Sequence, residues 1–216
     1  MSLTPVQVFR MSSVTSRAVL AEFVGTFIFQ LLGGSADYAP NNGLILTIVI
    51  FMTAKYSGGV VNPAVATTLL VVGEVSRAKW ALYVCAELAG AVAAALVAAI
   101  IDPTAPSLSG WSVEDGSGPG CVPALAPPQY FSVFGWELVG TFVLCGTVLA
   151  TAVAKPGFGD LAPLAIGMSV AINVGTSGSI TGGAYNPGTR QALRTTVARP
   201  AIRATGRRIR CSRSWL

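Results

Sequence analysis

Long apolar stretches alternate with short polar segments along most of the 216-residue chain. A helix needs about 20 residues to cross the hydrocarbon core of a bilayer, and fewer when flanking side chains reach the interface. The pattern predicts five spanning helices, at about residues 18–36, 43–56, 78–101, 130–154 and 161–177. A further apolar stretch, residues 62–72, is too short to span a bilayer and is typical of a re-entrant half-helix.

A polar link divides this pattern into two halves. Residues 102–129 carry six Pro, four Gly and three acidic residues, a composition typical of a solvent-exposed loop. The segment Ala21–Phe27 (AEFVGTF) resembles Trp136–Phe142 (WELVGTF), which indicates an internal repeat across the link. Because three spans, an odd number, separate equivalent points, the two halves are predicted to be inverted relative to each other.

A second pair of matching segments carries the candidate chemistry. Ser57–Ala64 (SGGVVNPA) is nearly repeated 124 residues later as Thr181–Gly188 (TGGAYNPG). Asn is a good helix N-cap and Pro is pre-organised for the first helical position, so each segment predicts a Gly-Gly turn followed by a helix start. Two such starts meeting in mid-bilayer would aim two positive helix ends and two side-chain amides at one point. That arrangement can pass neutral polar solutes and repel cations.

Composition indicates that lipid is the solvent for this chain. Hydrophobic residues make up 52% of it and charged residues only 11%, whereas a soluble domain has about 25% charged residues. No cleavable secretory signal is expected, because the first apolar stretch continues into a full span. The chain has no His, and its four Cys fit no metal or disulfide pattern. We therefore expect no cofactor, no metal and no enzymatic activity.

The net charge of +5 comes from the end of the chain. Residues 190–216 hold eight Arg and no acid, whereas residues 1–189 hold six basic and nine acidic residues. The charge therefore does not predict nucleic-acid binding. All the short basic loops fall on one side of the predicted spans, and by the positive-inside rule that side, with the N-terminus, is cytoplasmic. The plasma membrane is favoured over an internal membrane.

These observations predict five segments. They are a cytoplasmic N-terminal segment at residues 1–17, a first half-repeat at 18–101, an extracellular connecting loop at 102–129, an incomplete second half-repeat at 130–189, and an Arg-rich tail at 190–216.

The repeated Asn-Pro boxes, the repeated Glu-x-x-Gly-Thr segments and the inverted halves together resemble the aquaporin (major intrinsic protein) family, over about residues 18–189. The resemblance implies an all-α membrane fold with two re-entrant half-helices, and a tetramer with one pore in each subunit. It implies a passive channel for water and small uncharged solutes, with no chemical reaction. The residues of the two pore boxes would be Asn62, Pro63, Ala64, Asn186, Pro187 and Gly188.

The resemblance also implies a narrower outer constriction. Counted from the boxes, its candidate residues are Asn42, Val174, Gly183, Thr189 and Arg190. Water-selective members of the family have a bulky aromatic residue at the first of these positions and His at the second. Because Asn42 and Val174 are smaller, we expect a wider opening that passes glycerol, urea or metalloid acids beside water. The intramembrane carboxylates Glu22 and Glu137 are expected to accept hydrogen bonds from the loop backbone.

The chain departs from the family pattern after the second box. The family has Arg directly after Asn-Pro-Ala, whereas Thr189 stands there and Arg190 comes one residue later, about 100° further around a helix. Each Arg near a bilayer centre costs about 2.5–3.5 kcal/mol, so the Arg-rich tail is not expected to form the family's sixth span. The tail is interpreted either as a basic arm that binds anionic lipid or, as we favour, as out-of-frame translation.

Two other functions remain open from the sequence. The chain could be a non-conducting truncated subunit that assembles with intact aquaporins and modulates them. It could also be a proton-coupled carrier, which is disfavoured because the only carboxylates within spans are Glu22, Glu137 and Glu87.

Overall fold

The structure, a computed structural model, describes residues 16–33, 39–101 and 127–189. Within these ranges the fold is all-α and contains no strand. The long helices are α1 (Ser16–Gly33), α2 (Ala39–Ser57), α4 (Arg77–Ile101), α5 (Pro127–Val148) and α6 (Ala162–Thr181), and α3 (Pro63–Val71) is a half-helix of nine residues. A π-helical turn, Leu149–Val153, continues α5, and a 3-10 turn, Gly159–Leu161, precedes α6.

Four of the described helices are long and apolar enough to cross a membrane. The qualifying segments are Ser16–Gly33, Arg77–Ala98, Phe131–Val153 and Gly159–Gly178. They coincide with the first, third, fourth and fifth predicted spans. Helix α2 occupies the position of the predicted short second span and is longer than predicted, because it begins at Ala39. Most of the predicted connecting loop and the whole Arg-rich tail lie outside the described residues. The predicted absence of a sixth span concerns the tail and therefore also falls outside them.

Polar and apolar side chains are distributed as expected for a protein surrounded by lipid. Large apolar side chains point outward, with Phe131 82% and Phe142 76% exposed. The interior contains carboxylates and amides, among them Glu22, Glu87 and Asn62. Since lipid cannot satisfy polar groups, they are gathered inside the protein, where they can bond to one another.

Small residues bring the helices close enough to enclose these groups. Helix α1 packs against α2 and α4, and α2 packs against α6, which joins the two half-repeats. At the α2–α6 crossing, Gly43 and Gly167 face each other so closely that a Cβ on either would overlap the other's carbonyl oxygen. At the α1–α4 crossing, a Cβ on Gly90 would overlap the carbonyl of Phe23. This close approach of backbones is the usual way in which helices associate in membranes.

We expect Gly167→Ala to lower the free energy of unfolding by about 1–3 kcal/mol, because the added methyl group overlaps Thr47 and the Gly43 carbonyl. Unfolding in detergent micelles, followed by circular dichroism, measures the effect. Gly146→Ala is the matched control, since a Cβ on Gly146 in α5 has no neighbour within 4 Å. Equal stability of the two variants would contradict the close α2–α6 crossing.

Candidate functional site

The first Asn-Pro box is a tight loop that ends in a capped helix start. Gly58 and Gly59 have φ angles of 102° and 68°, which only glycine adopts readily. The Gly59 N–H donates to Ser57 Oγ at 3.1 Å. Asn62 then caps α3, because its Oδ1 accepts from the Ala64 N–H at 2.9 Å, and Pro63 occupies the first helical position.

The second box repeats this conformation. Gly182 and Gly183 have φ angles of 81° and 63°, and the Gly183 N–H donates to Thr181 Oγ1 at 2.9 Å. Asn186 Oδ1 accepts from the Gly188 N–H at 2.8 Å, and residues 187–189 are helical. The sequence repeat therefore extends to the backbone. We call residues 187–189 the second half-helix start.

The two Asn side chains meet and bond across the repeat. Asn62 Nδ2 donates to the Tyr185 carbonyl at 2.9 Å, and Asn186 Nδ2 donates to the Val61 carbonyl at 3.1 Å. Both side chains are almost fully buried, with 5% and 3% exposed. A carboxamide nitrogen has two hydrogens, so each Asn can keep its contact with the opposite box and still donate one hydrogen bond to another molecule.

Two carboxylates hold the loops in place from the equivalent positions of α1 and α5. Glu22 Oε1 and Oε2 accept from the N–H groups of Val60 and Val61 at 3.0 and 2.6 Å. Glu137 accepts from the N–H groups of Ala184 and Tyr185 at 3.2 and 3.0 Å. Val61 and Tyr185 thus each donate their N–H to a carboxylate and offer their carbonyl to the Asn of the opposite box.

This support also explains two strained residues. Val61 and Tyr185 have φ angles of 42° and 41°, a conformation that β-branched and aromatic residues rarely adopt. Backbone strain of this kind persists only where surrounding contacts over-determine it. The charged hydrogen bond that the strained residue's own N–H donates to Glu22 or Glu137 is such a contact.

Each loop has further support that differs between the halves. Beside the first box, Glu87 Oε1 accepts from the Asn62 N–H at 3.1 Å, and the Tyr83 hydroxyl donates to the Ser57 carbonyl at 2.9 Å. No pattern in the sequence indicated the role of Tyr83. Glu87 stood out as an intramembrane carboxylate, but it has no partner in the repeat from which a role could be inferred.

Beside the second box, the support comes from the side chain of Tyr185. Its hydroxyl donates to the Asn173 carbonyl at 2.9 Å and contacts Ser177 Oγ, and Asn173 Nδ2 donates to the Gly140 carbonyl at 2.8 Å. Gly140 leaves room for the Tyr185 ring, which any Cβ there would overlap. Asn173 therefore satisfies a neighbouring backbone group, an assignment that the sequence left open.

The candidate constriction residues occupy different places. Val174 and Gly183 are neighbours, since a Cβ on Gly183 would lie 3.0 Å from Val174 Cγ2. Asn42, near the start of α2, lies beside Gly33 at the end of α1. Thr189 is half-buried at the second half-helix start, and Arg190 lies outside the described residues. The structure thus brings together Val174 and Gly183.

The fold and the paired boxes define a class of membrane channels, and comparison with known proteins gives the family. The family described as major intrinsic protein matches residues 9–198. A probable TIP-type aquaporin of Medicago truncatula is 35% identical over 194 residues, with 80% of this chain and 72% of the relative covered. Aquaporin TIP1-1 of Arabidopsis thaliana is 32% identical over 195 residues, with 79% and 72% covered. The chain belongs to the major intrinsic protein family.

A solved structure shares the fold. The X-ray structure of the aquaglyceroporin from Plasmodium falciparum superposes with a TM-score of 0.63 at 20% identity, covering 86% of this chain and 83% of that one. Members of this family are channels and not enzymes, as the sequence predicted. The family match supports a passive channel for water or small solutes and does not favour the truncated, non-conducting subunit.

We expect Glu137→Ala to release the second box without releasing the first. Two backbone N–H groups would lose a charged acceptor, which lowers the free energy of opening this loop by about 2 kcal/mol or more. That change corresponds to roughly thirtyfold faster amide exchange. Hydrogen–deuterium exchange of the peptide containing Ala184 and Tyr185 measures this. The peptide containing Val60 and Val61, held by Glu22, is the internal control. Equal acceleration in both peptides would contradict separate support of the two boxes.

Proposed function

We propose that the chain is a passive membrane channel in which Asn62 and Asn186 orient water and small uncharged solutes at the junction of the two half-helices. The observation that supports this is a reciprocal pair of hydrogen bonds. Each Asn donates to the carbonyl of the residue that precedes the other Asn in the chain. It fixes both amides at one point, with one donor hydrogen still available on each. A solute oxygen that accepts from both amides is held in a single orientation.

The same junction accounts for the exclusion of protons and cations. A water oxygen that accepts hydrogen bonds from both Asn side chains cannot also form part of an unbroken proton wire. The two helix starts place their positive ends at this point, since Asn62 and Asn186 are the caps of α3 and the second half-helix start. An electrostatic barrier of this kind opposes the passage of cations.

We propose that the pore is wide enough for glycerol, urea or metalloid acids as well as water. Val174 and the side-chain-free Gly183 lie side by side, and neither fills space as an aromatic ring would. Asn42, Thr189 and Arg190 remain candidates for the rest of the constriction. The pore boxes comprise Asn62 to Ala64 and Asn186 to Gly188.

We further propose a homotetramer, or a hetero-oligomer with related subunits, with a cytoplasmic N-terminus. The apolar outer surface of α5, which includes Phe131 and Phe142, suits contact with lipid or with another subunit. The sequence favours the plasma membrane. The TIP-type relatives are of the tonoplast type, so an internal membrane is the alternative to test by localising a tagged chain.

Reconstitution into proteoliposomes tests the channel. In stopped-flow osmotic assays we expect water permeability above that of empty liposomes, and Asn62→Asp should lower it about fivefold, as for the loss of one hydrogen bond of about 1 kcal/mol. Aspartate retains the ability to cap α3 but has no amide hydrogen to donate. Asn41→Asp, the same change at an exposed residue of α2 outside the boxes, is the control. Permeability of the unaltered chain equal to that of empty liposomes would refute the proposal.

The width of the opening is tested separately. We expect Val174→Phe to reduce glycerol permeability at least about tenfold while reducing water permeability much less. A ring beside Gly183 would narrow the constriction enough to obstruct glycerol, whereas the smaller water molecule would still pass. Ile172→Phe, on the same helix but 63% exposed, is the matched control. An equal effect of the two variants on glycerol would place Val174 outside the constriction.

A further inference from the structure

Two carboxyl groups meet beneath the first box. Glu22 of α1 and Glu87 of α4 are both fully buried, with 0% exposed, and they accept from the consecutive backbone N–H groups of Val61 and Asn62, which places their carboxyl groups side by side. Carboxylates are acceptors only, so two ionised groups in contact repel and cannot bond. The contact becomes a hydrogen bond when one of the two groups holds a proton.

The hydrogen-bond partners indicate which group holds the proton. Both oxygens of Glu22 accept from backbone N–H groups. Glu87 accepts one backbone N–H, from Asn62, on Oε1. Its Oε2 is buried, and no donor among the described residues bonds to it. An ionised Glu87 would therefore have an unsatisfied oxygen at this position. A proton on Glu87 Oε2 would give that atom a role as donor.

The surrounding charges favour the same assignment. Lys79, on α4, is 3% exposed, interacts electrostatically with Glu22, and lies over the Tyr83 ring at 5.4 Å. One ionised Glu therefore balances one Lys. The other titratable group facing this region from the described elements is the phenol of Tyr83 on α4, whereas the Tyr185 hydroxyl bonds Asn173 and Ser177 beside the second box. Lys79 is the only buried cation among the described residues, so a second buried carboxylate would be unbalanced, which is strongly unfavourable away from water.

We propose that Glu87 is a protonated carboxylic acid that donates from Oε2 to Glu22 while it accepts the Asn62 N–H on Oε1. Glu87 is then a positioning residue, because it connects the cap of α3 to the carboxylate that holds Val60 and Val61. In its neutral form it adds no second negative charge beside the start of α3. At the second box, Glu137 accepts from the N–H groups of Ala184 and Tyr185.

Loss of this proton to bulk base at alkaline pH has a defined consequence. Glu22 and Glu87 would both be anions, their hydrogen bond would be lost, and repulsion would separate Glu87, which accepts the Asn62 N–H, from Glu22, which accepts the Val61 N–H. If the chain conducts as proposed above, its permeability should fall as the proton leaves. The proton itself, however, can be detected without any transport assay.

Infrared spectroscopy of the reconstituted chain tests the proton directly. We expect a protonated carboxylic acid C=O band at neutral pH that shifts on ¹³C-glutamate labelling and disappears at alkaline pH. Glu87→Gln should abolish the band, whereas Asp160→Asn, which removes an exposed carboxyl, should leave it unchanged. Absence of the labelled band in the unaltered chain, or its persistence in Glu87→Gln, would overturn the proposal. The labelled band of the unaltered chain decides the question even if the variant does not fold.

The pH profile of permeability distinguishes a positioning role from general support of the fold. Glutamine can donate and accept as the protonated Glu87 does, but it does not titrate. We expect the unaltered chain to lose about half its permeability at the pH where half the band has gone, and Glu87→Gln to conduct with no such loss. The same alkaline loss in Glu87→Gln would show that Glu87 is not responsible. If the band is present but neither protein conducts, the proposed function fails and the protonation stands.

Discussion

Irregular backbone buried in a membrane protein must find its hydrogen-bond partners inside the protein, and this requirement shapes the whole structure. Each Asn-Pro box bends the chain back in the protein interior, so its N–H groups have neither water nor a helix to bond to. Glu22 and Glu137 supply the missing acceptors, and they do so at the residues whose carbonyls receive the opposite Asn. Without these carboxylates, the Val61 and Tyr185 carbonyls that accept from the two Asn side chains would not be held in place.

Much of the fold could be predicted from the sequence because membrane helices have a simple signature. Apolar length located the helices to within a few residues, and the Asn-Pro pairs located both helix starts, because capping is a local property of a few consecutive residues. The repeat then implied that the boxes would meet. Helix α2 was predicted too short, because its first turn contains Pro40, Asn41 and Asn42 and lacks the apolar signal.

The details of the site depend on contacts between distant residues and could not be predicted. Tyr83 bonds a carbonyl 26 residues away, and the Asn173 amide bonds a carbonyl 33 residues away, with no local pattern to mark either contact. The halves also solve the same problem differently. The first uses Glu87 and Tyr83 from α4, whereas the second uses the ring and hydroxyl of Tyr185 within the box itself. A repeat predicts what its two copies share and is silent on where they diverge.

The reciprocal contacts at the junction pair a side-chain donor with a main-chain acceptor. Substitutions at the two acceptor positions leave the carbonyl in place, so the contact itself requires no particular side chain there as long as the backbone keeps its bend. Valine occupies one of them and tyrosine the other, and the donor distances are nearly the same. The contact is therefore one-sided in what it requires: each asparagine must supply an amide N–H, whereas its partner supplies only a backbone carbonyl, and the Tyr185 hydroxyl serves the separate contacts with Asn173 and Ser177.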